Sequence, residues 1–510
     1  MVDKKTFVQR SLKLIDCLKN HQTDSRFFIS LDEQEWTEML AALKTDRLMF
    51  LTMWCKEDTI FVLFLENGYK PIGVRISASM NRYLALSSVR PAAIIYERMI
   101  WELWGKEAMN AVDLRPWLDR GLWNNCWPLS EKPGPVLWPP ERQENPSVSH
   151  LLNNGGEITV IDPSNATEKL PVLWRFLNMG ERIIRAESVY GYTHRGILSN
   201  LYNRNSLEIL PLISRINALD SVAHQIAFSH AIEDIANFVP SLPVLRKRIL
   251  YSELSRVAAY LFYLTRLFRV LEVELVASRC DLARELLMRW NIHYFGHRWL
   301  MDCVFPGAVF LGQENDKKRH FPKKIKYLID QAFNLAITLP SLGDYLQNMG
   351  ILSLKKAIDF NIGGIVGRAS GRDVDLRRYM SEYRLEWLPP PNFTKGDVDA
   401  RMQSWFVEIK TSLNIIDILL REENSEEAFK SSQEIIIEKL NGEGIGVCEG
   451  VQGDLWYYVR LEAGVIKDVF IRDPGANQAY VLQDVLKNEH FDNHVLIKAS
   501  FGHLVTGVDL

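Results

Sequence analysis

The stretch from Gly191 to Glu233 constrains this chain most, because it gathers several polar residues into one short helical pattern behind a glycine-bracketed turn. It opens with Gly191-Tyr192-Thr193-His194-Arg195-Gly196 and passes through Pro211 into a run that carries Arg215, Asn217, Asp220 and His224. Positions 217, 220 and 224 are spaced three and four apart, which predicts that their side chains leave one helix face together. Such a helix presents a polar cluster to a shared pocket.

The rest of the chain supplies candidate walls for that pocket. Residues 48–54, 59–65 and 71–77 are β-rich runs separated by turn material, and they predict an antiparallel meander flanked by helices. The aromatic group Trp101, Trp104, Trp117, Trp123 and Trp127 reads as core or interface anchors. Residues 132–147, KPGPVLWPPERQENPS, predict an extended linker. Three parts follow: a small α+β domain over 1–131, a Pro-rich linker over 132–149, and a large domain over 150–510. The large domain begins with strand-like ITVID and VLWRFLNMGERIIRAESVY, expected to form a sheet that delivers the chain to Gly191. From Ser206 onward helices dominate, and Leu250, Leu254, Val257, Leu261, Leu264, Phe268 and Leu271 alternate by four and three as a long packed stripe. Arg256, Arg266 and Arg269 are expected on a solvated or subunit-facing side.

Charge and cysteine usage remove several function classes. Lys and Arg number 60 against 63 Asp and Glu, so the basic excess of a phosphate-binding protein is missing and nucleic acid is not expected as a partner. The local run Lys317, Lys318, Arg319, His320, Lys323, Lys324 and Lys326 reads most simply as a solvated loop. Six cysteines are scattered without a Cys-x-x-Cys pair, which argues against an Fe–S cluster, a zinc site or a disulfide framework in this chain. No Gly-x-Gly-x-x-Gly opens a helix after a strand, so a direct NAD site is not expected. The start MVDKKTFVQRSLKLI lacks the apolar core of a secretory signal, and no uncharged stretch reaches the length of a membrane span. A soluble cytoplasmic protein, peripheral to the inner membrane through its partners, is the expectation.

Arg215, Asn217, Asp220 and His224 fall on the four fixed positions of Arg-x-Cys-x-x-Cys-x-x-x-His. In this the chain resembles the large subunit of NiFe hydrogenases and its descendant, the 49 kDa-type (D) subunit of respiratory complex I. Both cysteines are replaced, by Asn217 and Asp220, and Leu504 and Gly507 stand where the resemblance puts a second, C-terminal pair. Low-spin nickel and iron need soft thiolates, which an amide and a carboxylate do not replace. The acidic residue that follows His-Arg-Gly in the family is also absent, Ile197 and Leu198 standing there. Further segments match in order: Gly296, Arg298, Pro306 and Gly307; then Gly367, Arg368, Gly371, Asp375, Arg377 and Tyr383; then Gly396, Asp397 and Arg401; then Glu449, Gly450 and Gly453; and Arg472 to Gly475. Upstream, Tyr96, Glu97, Arg98, Glu102, Gly105, Leu114 and Arg115 are similar to the signature of the 30 kDa-type (C) subunit, with Met99 in place of its second Glu. Glu97 and Arg98 read as fold-holding or interface charges.

The resemblance implies an α+β chain, in which a complex I 30 kDa-like α+β domain precedes a mainly helical NiFe-hydrogenase large-subunit-like domain. It implies a subunit of a membrane-associated hydrogenase-4-like or NADH-quinone-oxidoreductase-like complex, in the energy-converting hydrogenase-related branch that lacks the cysteine ligands. Electron transfer coupled to ion translocation is then expected, without hydrogenase activity; the other reading is a redox-inactive adaptor between soluble and membrane subunits. Implied partners are a small Fe–S subunit carrying a 4Fe-4S cluster, antiporter-like membrane subunits and a bound quinone, with no cofactor or metal in this chain. The family's hairpin histidine, implied to protonate quinone, has no counterpart between Glu157 and Tyr192. His224, Asp220, Arg215 and His194 are the candidate redox and proton pocket, with Arg368, Asp375 and Arg377 as candidate lining and Arg195 nearby. If these residues converge, buried charges must pair, and the histidine's proton affinity moves into a useful range. The bland reading is a former metal cavity filled by salt bridges.

Overall fold

The computed structural model describes residues 25–78, 80–119, 121, 123–134, 155–164, 171–310, 312, 320–380, 383, 393–423 and 435–508. Most of the expected linker, from residue 135 to 149, and Lys317, Lys318 and Arg319 of the basic run lie outside these residues.

The expected meander is present. β1 (Phe28–Leu31) leads into α1 (Glu33–Leu43), which Asp32 and Glu35 close with reciprocal cap hydrogen bonds. Then β2 (Met49–Lys56), β3 (Thr59–Glu66) and β4 (Lys70–Ser77) pair antiparallel in sequence, and β1 adds in parallel beside β4. α2 (Ile94–Trp104) packs on β2 and ends at left-handed Gly105. Glu97 and Arg98 hold this part together without pairing with each other. Glu97 accepts the backbone N–H groups of Leu86 and Ser87, while Arg98 donates to the carbonyls of Arg115 and Pro116. Trp104 and Trp117 are core residues, and Trp101, Trp123 and Trp127 are half-buried at its edge.

Beyond the undescribed segment, β5 (Glu157–Ile161), β6 (Leu173–Met179) and β7 (Arg182–Val189) form the antiparallel sheet that delivers the chain to Gly191. Helices then take over: α3 (Ser221–Ala236), α4 (Leu242–Val270), α5 (Glu274–Phe295), α6 (Lys323–Thr338), the short α7 (Gly364–Ala369) and α8 (Val398–Glu423). A second antiparallel sheet follows, β8 (Gly442–Glu449), β9 (Asp454–Glu462) and β10 (Val465–Arg472), and the described chain closes with α9 (Pro474–Val485) and α10 (His494–Ser500). The α+β class is as expected.

α4 is the spine. Leu250, Leu254, Val257, Leu261, Leu264 and Phe268 are wholly buried, wedged between α5 and α8, and each large apolar side chain contributes about 1.5–3 kcal/mol by leaving water. The same helix corrects one expectation. Arg269 is half-exposed and ion-paired with Asp281, but Arg256 is buried at 1% exposure and donates to the carbonyls of Glu449 and Gly450. The meander and the β8–β10 sheet share one core: Trp54 of β2 stacks on Phe470 of β10 with ring centroids 5.2 Å apart.

Candidate functional site

The structure revises where the central helix starts. A short turn at Leu210–Ile213 follows Pro211's entry, and α3 begins only at Ser221. Asn217 therefore lies in the turn before α3 and Asp220 at its N-cap, so only His224 projects from the helix itself. They still sit side by side, because Asp220 and His224 are one turn apart: the His224 N–H donates to the Asp220 carbonyl.

His224 is completely buried. Its Nδ1 lies 2.8 Å from the Tyr457 hydroxyl on β9, and its Nε2 lies 3.6 Å from Oδ2 of Asp473. Burial pushes the Tyr457 phenol well above its ordinary range, so the phenol keeps its proton and donates to or accepts from Nδ1 according to the ring's tautomer. Nε2 is buried without a hydrogen-bond partner, with Asp473 the facing carboxylate. Asp220 does not cap its own helix; its carboxylate reaches across and accepts the Val451 N–H at 2.8 Å. Burial pushes its carboxyl up to about 6, partly offset by that hydrogen bond and by the facing His224. His503 pairs with the Tyr190 hydroxyl at 3.1 Å, and burial pushes its imidazole down to about 4 against the pull of Asp473.

Both carboxylates occupy space that a side chain would otherwise fill. A Cβ on Gly450 would meet Asp220 Oδ1 at 2.9 Å, and a Cβ on Gly507 would meet Asp473 Oδ2 at 1.9 Å. Asp473 thus lies in the room next to position 507, where the resemblance puts a metal-binding thiolate. A nickel–iron centre does not fit these residues. Asn217 and Asp220 are hard donors, Leu504 has no donor, and any side chain at 507 collides with Asp473. Among the described residues no group of three or more His, Cys, Asp and Glu is arranged to hold a metal ion. Polar atoms without a hydrogen-bond partner nonetheless collect here: Nδ2 of Asn217, the Tyr263 hydroxyl, Nδ1 of His503 and Oγ1 of Thr506 are all buried. Such atoms call for a water or a polar ligand.

The other candidates lie elsewhere. Arg215 is not part of this centre: its guanidinium is 46% exposed and forms a bidentate pair with Asp302, 2.8 Å away. His194 lies beside the Trp123 ring, 5.2 Å between centroids. Arg195 donates to the carbonyls of Arg215, Ile216 and Thr506, tying the turn before α3 to the C-terminal segment. Arg368, Asp375 and Arg377 form a second cluster, with Glu408 of α8 and Glu253 and Arg256 of α4. The two clusters adjoin through Arg256, whose charge acts on Asp220 and whose guanidinium holds the carbonyls on either side of the Glu449–Gly450 peptide.

Asp473 and Tyr457 carry this geometry, and neither stands among the candidate site residues read from the sequence. Asp473 falls in the matched segment Arg472 to Gly475; it caps α9 by accepting the Gly475 N–H at 2.7 Å, and its second oxygen faces His224. Tyr457 is one aromatic in a run of strand residues, and only the placement of α3 against the β8–β9 hairpin reveals its partner.

Residues 280–510 match the family described as the 49 Kd subunit of respiratory-chain NADH dehydrogenase. The chain is 26% identical over 307 residues to a carbon monoxide-induced hydrogenase of Rhodospirillum rubrum, covering 59% of this chain and 84% of that one. It is 25% identical over 345 residues to the D-type subunit of NADH-quinone oxidoreductase from Carboxydothermus hydrogenoformans, covering 65% and 92%. In fold it resembles a chain of the membrane-bound sulfane sulfur reductase, an archaeal respiratory membrane complex, with a TM-score of 0.64 and 23% identity over 70% of this chain and all of that one. By these matches the chain is similar to the D-type subunits of NADH-quinone oxidoreductase and to hydrogenase subunits.

Proposed function

We propose that this chain is the large subunit of a membrane-associated oxidoreductase complex of the hydrogenase-4 or NADH-quinone-oxidoreductase type, taking part in electron transfer coupled to ion translocation without a nickel–iron centre. The observation that carries the reading is His224: a fully buried imidazole, held by a phenol at one nitrogen and facing a carboxylate at the other, at the position of the motif's last residue. An imidazole so placed can hold a proton at Nε2 and pass it to Asp473. Asp220, whose carboxyl burial pushes up to about 6, responds strongly in a dry interior to any charge that arrives nearby, which links electron arrival to proton uptake. Asp220 is the second carboxylate of this centre.

In this reading electrons reach the centre from a 4Fe-4S cluster in a small partner subunit, antiporter-like membrane subunits move the ions, and quinone is the candidate acceptor. Residues 1–131 serve as the docking domain, ahead of the linker at 132–149 and the large domain at 150–510. The chain sits on the cytoplasmic face; no helix among the described residues is long and apolar enough to cross a membrane. The names of the relatives, hydrogenases and quinone oxidoreductases, support the class of assembly.

The test is turnover and quinone content of the complex purified through this subunit, in native and His224→Ala forms. Losing a positioned acid–base group lowers turnover by about 10²–10⁴-fold. Unchanged turnover in an assembled His224→Ala complex that holds no quinone points instead to a redox-inactive adaptor between soluble and membrane subunits. The way Asp473 fills the room beside Gly507 favours that second reading.

A further inference from the structure

A second buried centre lies beside the first and carries its own charge problem. Three guanidinium groups, those of Arg256, Arg368 and Arg377, face four carboxylates, those of Glu253, Asp375, Glu408 and Glu449, all at 8% exposure or less. Fully ionised, this set carries one excess negative charge away from water, which a protein interior tolerates poorly. The adjoining Arg472 is taken by Asp454 at 2.9 Å, and Arg372, hydrogen-bonded to the neutral Asn361 side chain and Met49 sulfur, is the cation beside the set whose charge reaches Glu449 without touching it.

The four carboxylates are not equally held. Asp375 takes Arg377 side-on, with contacts of 2.6 and 2.9 Å. Glu408 is shared by Arg368 at 2.6 Å and Arg377 at 3.1 Å. Glu253 accepts from the hydroxyls of Ser412 and Tyr383 besides its two arginines. Glu449 has the weakest set: Arg368 at 3.2 Å on one oxygen and the Leu376 N–H at 3.2 Å on the other. A proton placed in this cluster therefore costs least at Glu449. The electrostatics agree, since burial and the charge of Asp375 push the Glu449 carboxyl up to about 7, while Arg377 and Arg368 hold Asp375 far below its ordinary value.

Glu449 is also the carboxylate with a way out. A narrow cleft of about 10 Å³, room for about one water, lies between α3 and α4 and is lined by Ile226, Leu245, Met380 and Tyr383 together with Glu449 and Arg377. The titratable and charged groups that face it along the walls are His230 of α3, bound to the Val447 carbonyl, Arg248 of α4, paired with Glu233, and the Cys448 thiol, which burial holds protonated. None of these offers a competing carboxylate to the cleft. At its other end Glu449 opens the strap to Gly450 and Val451, whose N–H holds Asp220.

We infer that Glu449 is a proton-exchange site, loaded and emptied through the cleft between α3 and α4 and standing one three-residue strap away from the His224 centre. Its proton comes from water in the cleft and returns there, so no redox partner is needed. The site is read without turnover, and its failure would leave the His224 centre untouched.

Infrared difference spectra of the intact chain between about pH 6 and about pH 8 test it, because a carboxylic acid in this range is rare among ordinary side chains. Burial raises Glu97 and Glu102 to about 7 as well, so the native spectrum minus that of Glu449→Gln is read: a carboxylic C=O band that disappears as pH rises through about 7 is expected in that difference, the amide keeping the shape of the protonated side chain. In D2O the band shifts by exchange, and Met380→Trp, which plugs the cleft, slows that exchange roughly tenfold by leaving only local opening of the fold. A titrating band as strong in Glu449→Gln as in the native chain overturns the assignment. Exchange in Met380→Trp as fast as in the native chain overturns the cleft as its path.

Discussion

Arg377→Met lowers the stability of the full chain by about 3–5 kcal/mol, the cost of removing one partner from a buried ionic cluster. Arg377 is 1% exposed and bridges Asp375, Glu408 and Glu253. Without it, Asp375 and Glu408 are left facing each other with only Arg368 between them. Lysine does not rescue the site, because a single ammonium cannot reproduce the side-on contacts made by a planar fork. The loss depends on pH in a defined direction. Asp375 is held below its ordinary value in the folded chain, so the stability it contributes is present above its unfolded pKa of 3.8 and lost as pH falls toward its folded value. In Arg377→Met that carboxylate reprotonates readily, so the gap between native and variant narrows on acidification. Urea unfolding midpoints across a pH series measure it. A loss below about 1 kcal/mol at neutral pH would mean that water screens the cluster as it does a surface pair.

Gly507→Cys, which introduces the thiol that the resemblance puts there, is expected to destabilise the fold, by about 1–3 kcal/mol or more. The new Cβ would arrive 1.9 Å from Oδ2 of Asp473, and that carboxylate is pinned by its other oxygen to the Gly475 N–H. Asp473→Ala clears the space, so the double variant recovers part of the loss although each single change is harmful. A double-mutant cycle on thermal unfolding reads this coupling, expected at about 0.5–3 kcal/mol for residues in contact. Additive losses would show that Asp473 and position 507 do not compete for one volume.

The parts of the fold that rest on local patterns were legible in the sequence. The meander strands lie within about two residues of their turn signals, and the α4 stripe is buried as its four–three spacing requires. What long-range packing decides was not legible. Arg256 looks solvated because its partners, the Glu449 and Gly450 carbonyls, lie about 190 residues away in sequence. The three–four spacing of Asn217, Asp220 and His224 suggested one helix face, yet α3 starts at Ser221 because Asp220 turns its carboxylate to the β8–β9 strap. Arg215 matched the motif's spacing but finds its carboxylate, Asp302, on the outside. Asp473 falls in the matched segment Arg472 to Gly475, but only its packing against α3 brings it to face His224.

On the proposed function, a buried histidine–carboxylate centre stands where the resemblance places a metal-binding thiolate set. Nickel content of the complex purified through this subunit, counted per chain, tests it most directly. The account predicts no stoichiometric nickel, because Asn217, Asp220, Leu504 and Gly507 provide no thiolate. One nickel atom per chain would contradict it.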